Sequence, residues 1–358
     1  MQVALHVGQL LQPVPGGIGR YVRGLLAALP GAGVEPVAFA AGAAPGGVDG
    51  YVELGWPGGS LRYELWHRLR RPALRVAGDV VHATSLAVPP PGGRPLVVTV
   101  HDLVFLRHPE YLTPRGVSFH RRGLELARRE AAAVVVPTAF GRDELVAEGF
   151  DAARIHVAPH GVALPGPAPE AEAQGAVMEG LGVRPPFVLF VGTLEPRKGV
   201  ADLLAAHRAL RSAHPDLSLV LAGHQGWGPP LELSVPGVVA LGPVDDPTLD
   251  PLYRAAVALA LPSRYEGFGL PVLEAMARGC PVVTTDAACL PEVAGGAAAL
   301  VAVGDVDDLA GVLEGLLSDE SRRRDLSDAG HRRSKDFSWP ASAAAHAAAY
   351  TAALEAPR

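Results

Sequence analysis

Lysine is nearly missing from this chain. Lys198 and Lys335 are the only two among 358 residues, against 29 arginines. A chain this biased toward arginine keeps lysine where a compact ammonium serves better than a planar guanidinium, which singles out position 198. Cysteine is as scarce: Cys280 and Cys289 fit no metal-ligand spacing and form no disulfide framework, so a reducing compartment is expected. No run of about 18 apolar residues occurs, so no membrane span is expected. Met1-Gln2-Val3 enters an apolar stretch without a basic leader, so no secretory signal is expected and the location reads as cytoplasmic. The formal net charge is -6, and no nucleic-acid partner is expected.

Apolar residues are plentiful at 49%, enough for real cores, and the length favours two domains over one. The 42 glycines and 34 prolines are dispersed, as turns are and disordered tracts are not. Charge is uneven. Residues 1–130 hold 14 arginines and 9 carboxylates, net +5, while residues 131–358 carry -11. A basic first half and an acidic second half imply different partners for each.

Strand and helix alternate through both halves. Val3 to Val7 reads as a strand, and Pro15-Gly16-Gly17-Ile18-Gly19-Arg20-Tyr21 leads into a helical pattern through Val22, Leu25 and Leu29. The third glycine of a dinucleotide fingerprint is missing at Val22, so the loop reads as a phosphate cradle or a packing turn. Residues 41–60 read as a surface loop. Leu61 to Leu74 reads as a basic amphipathic helix with Leu61, Leu65 and Leu69 on its apolar face. Leu96 to Val100 reads as a strand ending in His101, at the edge where open α/β sheets bind ligands. The helix from Val117 to Ala132 carries Arg121, Arg122, Arg128 and Arg129. Glu125 and Glu130 interrupt that stripe, which favours a solvated face over an anionic membrane surface. Thr138 is placed to cap the next helix.

Residues 166–180 read as a linker between a first domain over 1–165 and a second over 181–337. In the second, Phe187 to Val191 runs into Gly192-Thr193-Leu194-Glu195-Pro196-Arg197-Lys198-Gly199, and strand–helix units repeat to Leu354. Asp305-Val306-Asp307 leads a helix, and it reads as a cap rather than a metal pair; no metal and no cofactor are expected. The fold class is therefore α/β, with two doubly wound, Rossmann-like domains facing across a cleft.

The chain is organised around Pro262 to Gly279. The apolar stretch Val257 to Leu261 precedes it, Pro271 suits the first turn of a helix, and Gly279 suits the position past its end. A glycine loop entering a helix presents N–H groups to an anion. Glu266 lies in that loop, and Glu274 about one turn into the helix, leaning back toward its start. Carboxylates beside an anion site suit a ligand that carries both phosphates and hydroxyls. Arg197 and Lys198 stand at the ligand-binding edge of the same domain, as a planar fork and a point charge for phosphate oxygens.

These stretches, with His101-Asp102 and Pro159-His160-Gly161-Val162, resemble the retaining GT-B glycosyltransferases of family four over essentially the whole chain. Phe337-Ser338-Trp339 precedes a terminal helix that, in the family, crosses back onto the first domain, so 338–358 is assigned there. The resemblance implies that the first domain takes an acceptor and the second a nucleotide-diphospho sugar. It implies that Gly16 and Gly17 bring N–H groups to the diphosphate and that Arg197 and Lys198 neutralise it. Glu274 would accept from the ribose diol. Glu266, with Gly267 and the backbone of Phe268, Gly269 and Leu270, would hold the sugar and distal phosphate, and His101 would face the reacting centre. Gly192 is placed among the donor-binding residues, and Gly223, His224 and Val244 border the base. The wording of the 192–199 and 223–227 stretches is most like members that use GDP-mannose, with UDP-glucose or UDP-N-acetylglucosamine second. The acceptor is read as a glycan or a lipid-linked glycan, as in polysaccharide or glycolipid biosynthesis. Basic helices of the first domain permit a peripheral contact with the inner face of the membrane without requiring one.

Three other functions fit parts of the pattern. A glycoside hydrolase could use Glu266 and Glu274 as acid and nucleophile, but it leaves Arg197 and Lys198 idle. A nucleotide-sugar sensor would bind donor and transfer nothing. A related epimerase would convert its substrate without any acceptor.

Overall fold

The computed structural model describes residues 1–167 and 170–356. Two compact units divide the chain: Met1–Gly161 with Phe337–Arg358, and Val162–Asp336.

The first unit runs β1 (Gln2–His6), α1 (Gly16–Ala28), β2 (Glu35–Ala40), β3 (Val52–Glu53), α2 (Gly59–Leu69), β4 (Val80–Ala83), β5 (Leu96–Thr99), α3 (Val104–Arg107), α4 (Pro114–Glu130), β6 (Ala133–Val136), α5 (Ala139–Ala147) and β7 (Ile155–Val157). Its sheet has the order β3-β2-β1-β4-β5-β6-β7, and every pairing is parallel. Strand order reverses between β1 and β4, each rich in valine, leucine or alanine and buried because helices cover both faces.

The second unit runs α6 (Ala171–Gly180), β8 (Phe187–Val191), α7 (Val200–Leu210), β9 (Ser218–Ala222), β10 (Val238–Gly242), α8 (Asp246–Ala255), β11 (Ala258–Leu261), α9 (Leu270–Ala277), β12 (Val282–Thr285), α10 (Leu290–Ala294), β13 (Ala299–Val301), α11 (Val306–Ser318) and α12 (Glu320–Ser334). Its sheet, also parallel, is ordered β10-β9-β8-β11-β12-β13, so the reversal falls between β8 and β11.

The last helix, α13 (Trp339–Glu355), returns to the first unit. Ser338 caps it, accepting from the Ala341 N–H at 3.2 Å. Buried polar pairs then fasten it to the sheet. The Tyr21 hydroxyl meets His346 Nε2 at 2.8 Å and Thr99 Oγ1 at 2.9 Å. His82 meets the Tyr350 hydroxyl through Nδ1 and Thr99 through Nε2, both at 2.8 Å. Gly161 and Gly24 let Trp339 approach: an added Cβ would lie 2.3 Å from the Trp339 nitrogen and 2.2 Å from its ring.

Three expectations are corrected. The 41–60 loop contains β3, which pairs with β2. Residues 166–180, expected as a linker, carry α6 over Ala171–Gly180, packed against α8, and the Arg254 guanidinium donates to the Gly166 carbonyl at 3.0 Å; Ala168 and Pro169 lie outside the described residues. The buried face of α2 is Arg62, Trp66 and His67, while Leu61 and Leu69 are exposed. Arg62 turns inward because it answers the Pro57 carbonyl at 2.7 Å and the Gly55 carbonyl. The basic stripes are also largely neutralised within the unit: Arg122 pairs with Glu64 at 3.1 Å, Arg128 with Glu125 at 2.9 Å, and Arg70 with Glu130 at 2.5 Å. Among the described residues no helix is long and apolar enough to cross a membrane.

Candidate functional site

The reversal point of the second sheet decides which loops meet. A crevice opens where neighbouring strands send their crossovers to opposite faces, beyond the strands' carboxyl ends. Here those strands are β8 and β11, and the segments that follow them are Gly192–Gly199 and Pro262–Gly269. The two are locked together by close backbone approach. Gly199 has φ +68°, and an added Cβ would lie 2.0 Å from the Pro262 carbonyl oxygen. The Arg264 N–H donates to the Arg197 carbonyl at 2.8 Å.

This junction holds Arg197, Lys198 and Glu266 in one buried cluster. Lys198 Nζ donates to Glu266 Oε1 at 2.5 Å, and Ser263 Oγ donates to the same oxygen at 2.6 Å. Arg197 Nη1 donates to Glu266 Oε2 at 3.1 Å and to the Tyr265 carbonyl at 2.8 Å. Glu195 takes the other side of that guanidinium, from Nε at 3.0 Å and Nη2 at 2.6 Å. Glu266 is only 5% exposed and Lys198 9%. Burial pushes the Glu266 carboxyl up, but Lys198 and Arg197, with the hydrogen bonds from Lys198 and Ser263, outweigh it and bring it to about 2. Burial, helped by Arg197, draws the Lys198 ammonium down, and Glu266 opposes this. Glu266 is therefore a carboxylate at neutral pH.

Within the cluster Arg197 gives Nε, Nη1 and Nη2 to protein acceptors, whereas among the described residues Lys198 gives one of its three N–H bonds. The ammonium is thus the better equipped of the two to meet phosphate oxygens, and Arg197 acts on Glu266 and the Tyr265 backbone.

Beside the cluster, Gly269 adopts φ +89° and starts α9 with no side-chain cap; Pro271 has no N–H and the Val272 N–H donates to the Gly269 carbonyl at 2.9 Å, so in this first turn Leu270 is the residue whose N–H points out of the helix. Phe268 and Leu270 are buried, and Gly267 is half-buried. Glu274, 7% exposed, receives the Tyr253 hydroxyl on Oε2 at 3.0 Å. Gly192 and Gly223 end the neighbouring strands β8 and β9 and cross so closely that a Cβ on Gly223 would lie 1.9 Å from the Gly192 carbonyl oxygen. The Gly223 N–H donates to Gly242 at the end of β10, just before half-buried Val244, and the His224 carbonyl accepts from Leu194 at 2.9 Å. The residues expected in the second unit thus stand at the carboxyl ends of adjacent strands.

Gly16, Gly17 and His101 belong to the first unit. Gly16, with φ +58°, and Gly17 open α1, whose first N–H groups lack intrahelical partners. His101 stands past β5 with its ring edge-on to Tyr21 at 4.9 Å. Its Nε2 meets the Thr84 carbonyl at 2.8 Å, and since a carbonyl only accepts, Nε2 carries the hydrogen and Nδ1 the lone pair. Burial lowers its pKa, so the ring is neutral at pH 7.

Ser263, Glu195 and Tyr253 were not among the residues expected from the sequence. Serine before a glycine loop, or tyrosine inside α8, carries no local signal; each is identified only by the carboxylate or guanidinium it meets in space. Asp305 does cap α11, accepting from the Asp308 N–H at 2.9 Å.

Comparison with known proteins agrees with this geometry. Residues 15–165 match the family described as Glycosyltransferase Family 4, and residues 178–333 match Glycosyl transferases group 1. The O-antigen chain mannosyltransferase B of Escherichia coli is 32% identical over 292 residues, covering 77% of this chain and 76% of that protein. The MMP alpha-(1->4)-mannosyltransferase of Mycolicibacterium hassiacum is 33% identical over 303 residues, covering 77% and 71%. Among solved structures, Anabaena HepE in complex with UDP-glucose superposes with a TM-score of 0.76 at 20% identity over 98% of this chain and 99% of that one, a likeness of fold alone. The two parallel sheets, the returning terminal helix, and relatives above 30% identity over more than two thirds of their length lead to one conclusion: this protein belongs to the GT-B glycosyltransferases of family four and is an enzyme of the transferase class.

Proposed function

We propose that the protein moves a hexosyl group, mannosyl in the favoured reading, from a nucleotide-diphospho sugar to a hydroxyl of a glycan, with retention of anomeric configuration. The second unit is assigned to the donor and the first to the acceptor. The observation that carries this is the buried Lys198–Glu266–Arg197 cluster at the strand-order reversal, with Glu274 a short step along α9. The mannosyltransferase relatives favour a GDP-mannose donor; HepE's complex with UDP-glucose keeps UDP-sugars as the alternative.

On this reading Lys198 and the Leu270 N–H at the start of α9 meet the diphosphate. Negative charge grows there as the bond from the anomeric carbon to the phosphate oxygen breaks, and fixed donors stabilise it without reorganising. Glu266 holds the ammonium in place and, with the backbone of Gly267 to Leu270, borders the sugar. Glu274 accepts from the ribose diol. The acceptor oxygen bonds to the anomeric carbon on the face the phosphate leaves, and the departing phosphate oxygen takes the acceptor's proton. His101, neutral with a lone pair on Nδ1, accepts a sugar hydroxyl. The parts given to His101, Gly16 and Gly17 rest on the family resemblance.

A thermal-shift panel of GDP, UDP, ADP and TDP sugars tests the donor; stabilisation by none of them overturns the reading. Proton NMR of the product tests retention, and an inverted anomeric signal ends that part of it. Hydrolysis of glycosides without any nucleotide would favour a glycosidase instead. A lipid-linked acceptor is the second reading for the first unit. It is favoured by Trp56, 88% exposed, and by exposed Leu61, Leu69 and Arg68 nearby in α2. Flotation with vesicles containing anionic lipid, compared with neutral ones, decides whether that surface meets a membrane.

A further inference from the structure

Glu274 sits on a short helix of 8 residues, and its carboxylate is held by a group from another helix. Tyr253, on α8 and wholly buried at 1% exposure, donates its hydroxyl to Glu274 Oε2 at 3.0 Å. Its ring is held in turn. The Arg278 guanidinium lies over it, 5.3 Å from the centroid. Arg278 is tied on both sides, donating from Nε to Asp250 Oδ1 at 2.8 Å and from Nη1 to the Glu274 carbonyl at 3.1 Å. Asp250 also takes Arg254 Nε at 2.7 Å, so each of its oxygens holds one guanidinium.

We propose that Tyr253, braced by Arg278 and Asp250, is the positioning residue that orients Glu274 toward the ribose of the donor and thereby sets the preference for ribonucleotides over deoxyribonucleotides. A carboxylate reads a vicinal diol only when its plane is fixed, because two hydroxyls must meet two oxygens at once. A phenol supplies a donor on a stiff arm, and a cation over the ring face keeps the arm from turning. This places a specificity determinant of the donor site outside the loop that touches the donor. It rests on the ribose contact assigned to Glu274 above.

The test compares dissociation constants of GDP and UDP with those of 2′-deoxy-GDP and 2′-deoxy-UDP, for the whole enzyme and its Tyr253→Phe, Glu274→Ala and double variants. The enzyme is expected to prefer its ribonucleotide by about tenfold or more, as sites built to bond a hydroxyl do. Y253F, which removes one oxygen and keeps the ring, is expected to bring that ratio to about threefold or less, the loss ordinary for one buried hydrogen bond. In the Glu274→Ala background the same substitution should change nothing, since Tyr253 would act through that carboxylate. A normal preference that survives Y253F overturns the positioning role and leaves the ribose contact standing. No preference in the unaltered enzyme overturns the ribose contact itself, and the proposal with it. If Y253F fails to fold, Arg278→Gln frees the ring and keeps the phenol. An undiminished ratio there overturns the proposal, and a diminished one with unchanged Tm supports it.

Discussion

At the scale of single residues, Lys198 and Glu266 carry the most consequence. Lys198 is buried, bonded to Glu266, and 3.9 Å through its Cε from where a side chain on Gly192 would begin. Lys198→Ala is expected to lower kcat/KM by about two orders of magnitude, the usual cost of losing one fixed donor to developing charge. Lys198→Arg is expected to remain impaired, because a planar fork cannot replace a compact ammonium in a packed site. Steady-state kinetics with the donor identified by thermal shift checks both, and near-normal turnover of the alanine variant would remove Lys198 from the mechanism. Glu266 has a second role, compensating the buried Lys198 and the half-buried Arg197. Glu266→Gln is expected to destabilise the protein by about 3–5 kcal/mol, since it removes the carboxylate that pairs with the buried Lys198 ammonium, while Arg197 keeps Glu195. Urea unfolding measures it. The pH dependence has a definite sign. A carboxyl held at about 2 contributes its full stability above the ordinary glutamate value and loses it progressively as pH falls toward about 2. The Gln variant should lack that part of the acid profile.

At the scale of elements, the loops after β8 and β11 act as one because glycine lets backbones touch. Gly199→Ala meets both a left-handed φ of +68° and a carbonyl oxygen 2.0 Å from the new methyl, neither of which can yield. Its Tm is expected to fall by several degrees and donor binding to weaken with it. A Gly31→Ala control, where nothing lies within 4 Å, should leave both unchanged. Several elements were legible in the sequence and several were not. β8 and β11 are unbroken apolar runs, and Pro271 and Gly279 bracket α9 where a helix start and stop belong. The charged α12 has no apolar period to read. It is held by the Asp319 cap, by Arg323 on the Leu316 and Leu317 carbonyls, and by Gly330 lying against Met276. In α2 the leucine period pointed to the wrong face, because a buried arginine that answers two carbonyls outweighs the exposure of Leu61 and Leu69.

At the scale of the whole molecule, the first unit carries an acid sensitivity in its buried histidines. His6, His82, His160 and His346 are all buried, and burial lowers each, to about 3 for His6 and about 4 for His346. Both His6 nitrogens have no hydrogen-bond partner among the described residues, and its ring lies among Phe39, Tyr63 and Trp66. Such a group stays neutral when folded and takes a proton when unfolded once pH drops below the ordinary histidine value. Stability is therefore full above about 6.5 and declines below it, steeply because several groups act together. Hydrogen exchange at pH 7.5 and 5.0 is expected to show β1, β4, β5 and α13 opening first. His6→Leu should reduce the pH slope of urea stability by about one proton, and an unchanged slope would remove His6 from the account.

The amino-acid sequence by itself determined the class of fold and the family, because alternating apolar runs, glycine loops and the Glu266–Glu274 spacing are local and survive without knowledge of partners. It also picked out Lys198, by rarity. Only the tertiary structure decided who answers whom: Ser263 and both cations on Glu266, Glu195 on Arg197, Tyr253 on Glu274, and His82 fastening a helix more than 200 residues away in the chain. The reason is physical. Periodicity reports which face of an element is buried, but a buried polar group is defined by its partner, and partners are brought together by the order of strands in a sheet rather than by their order along the chain.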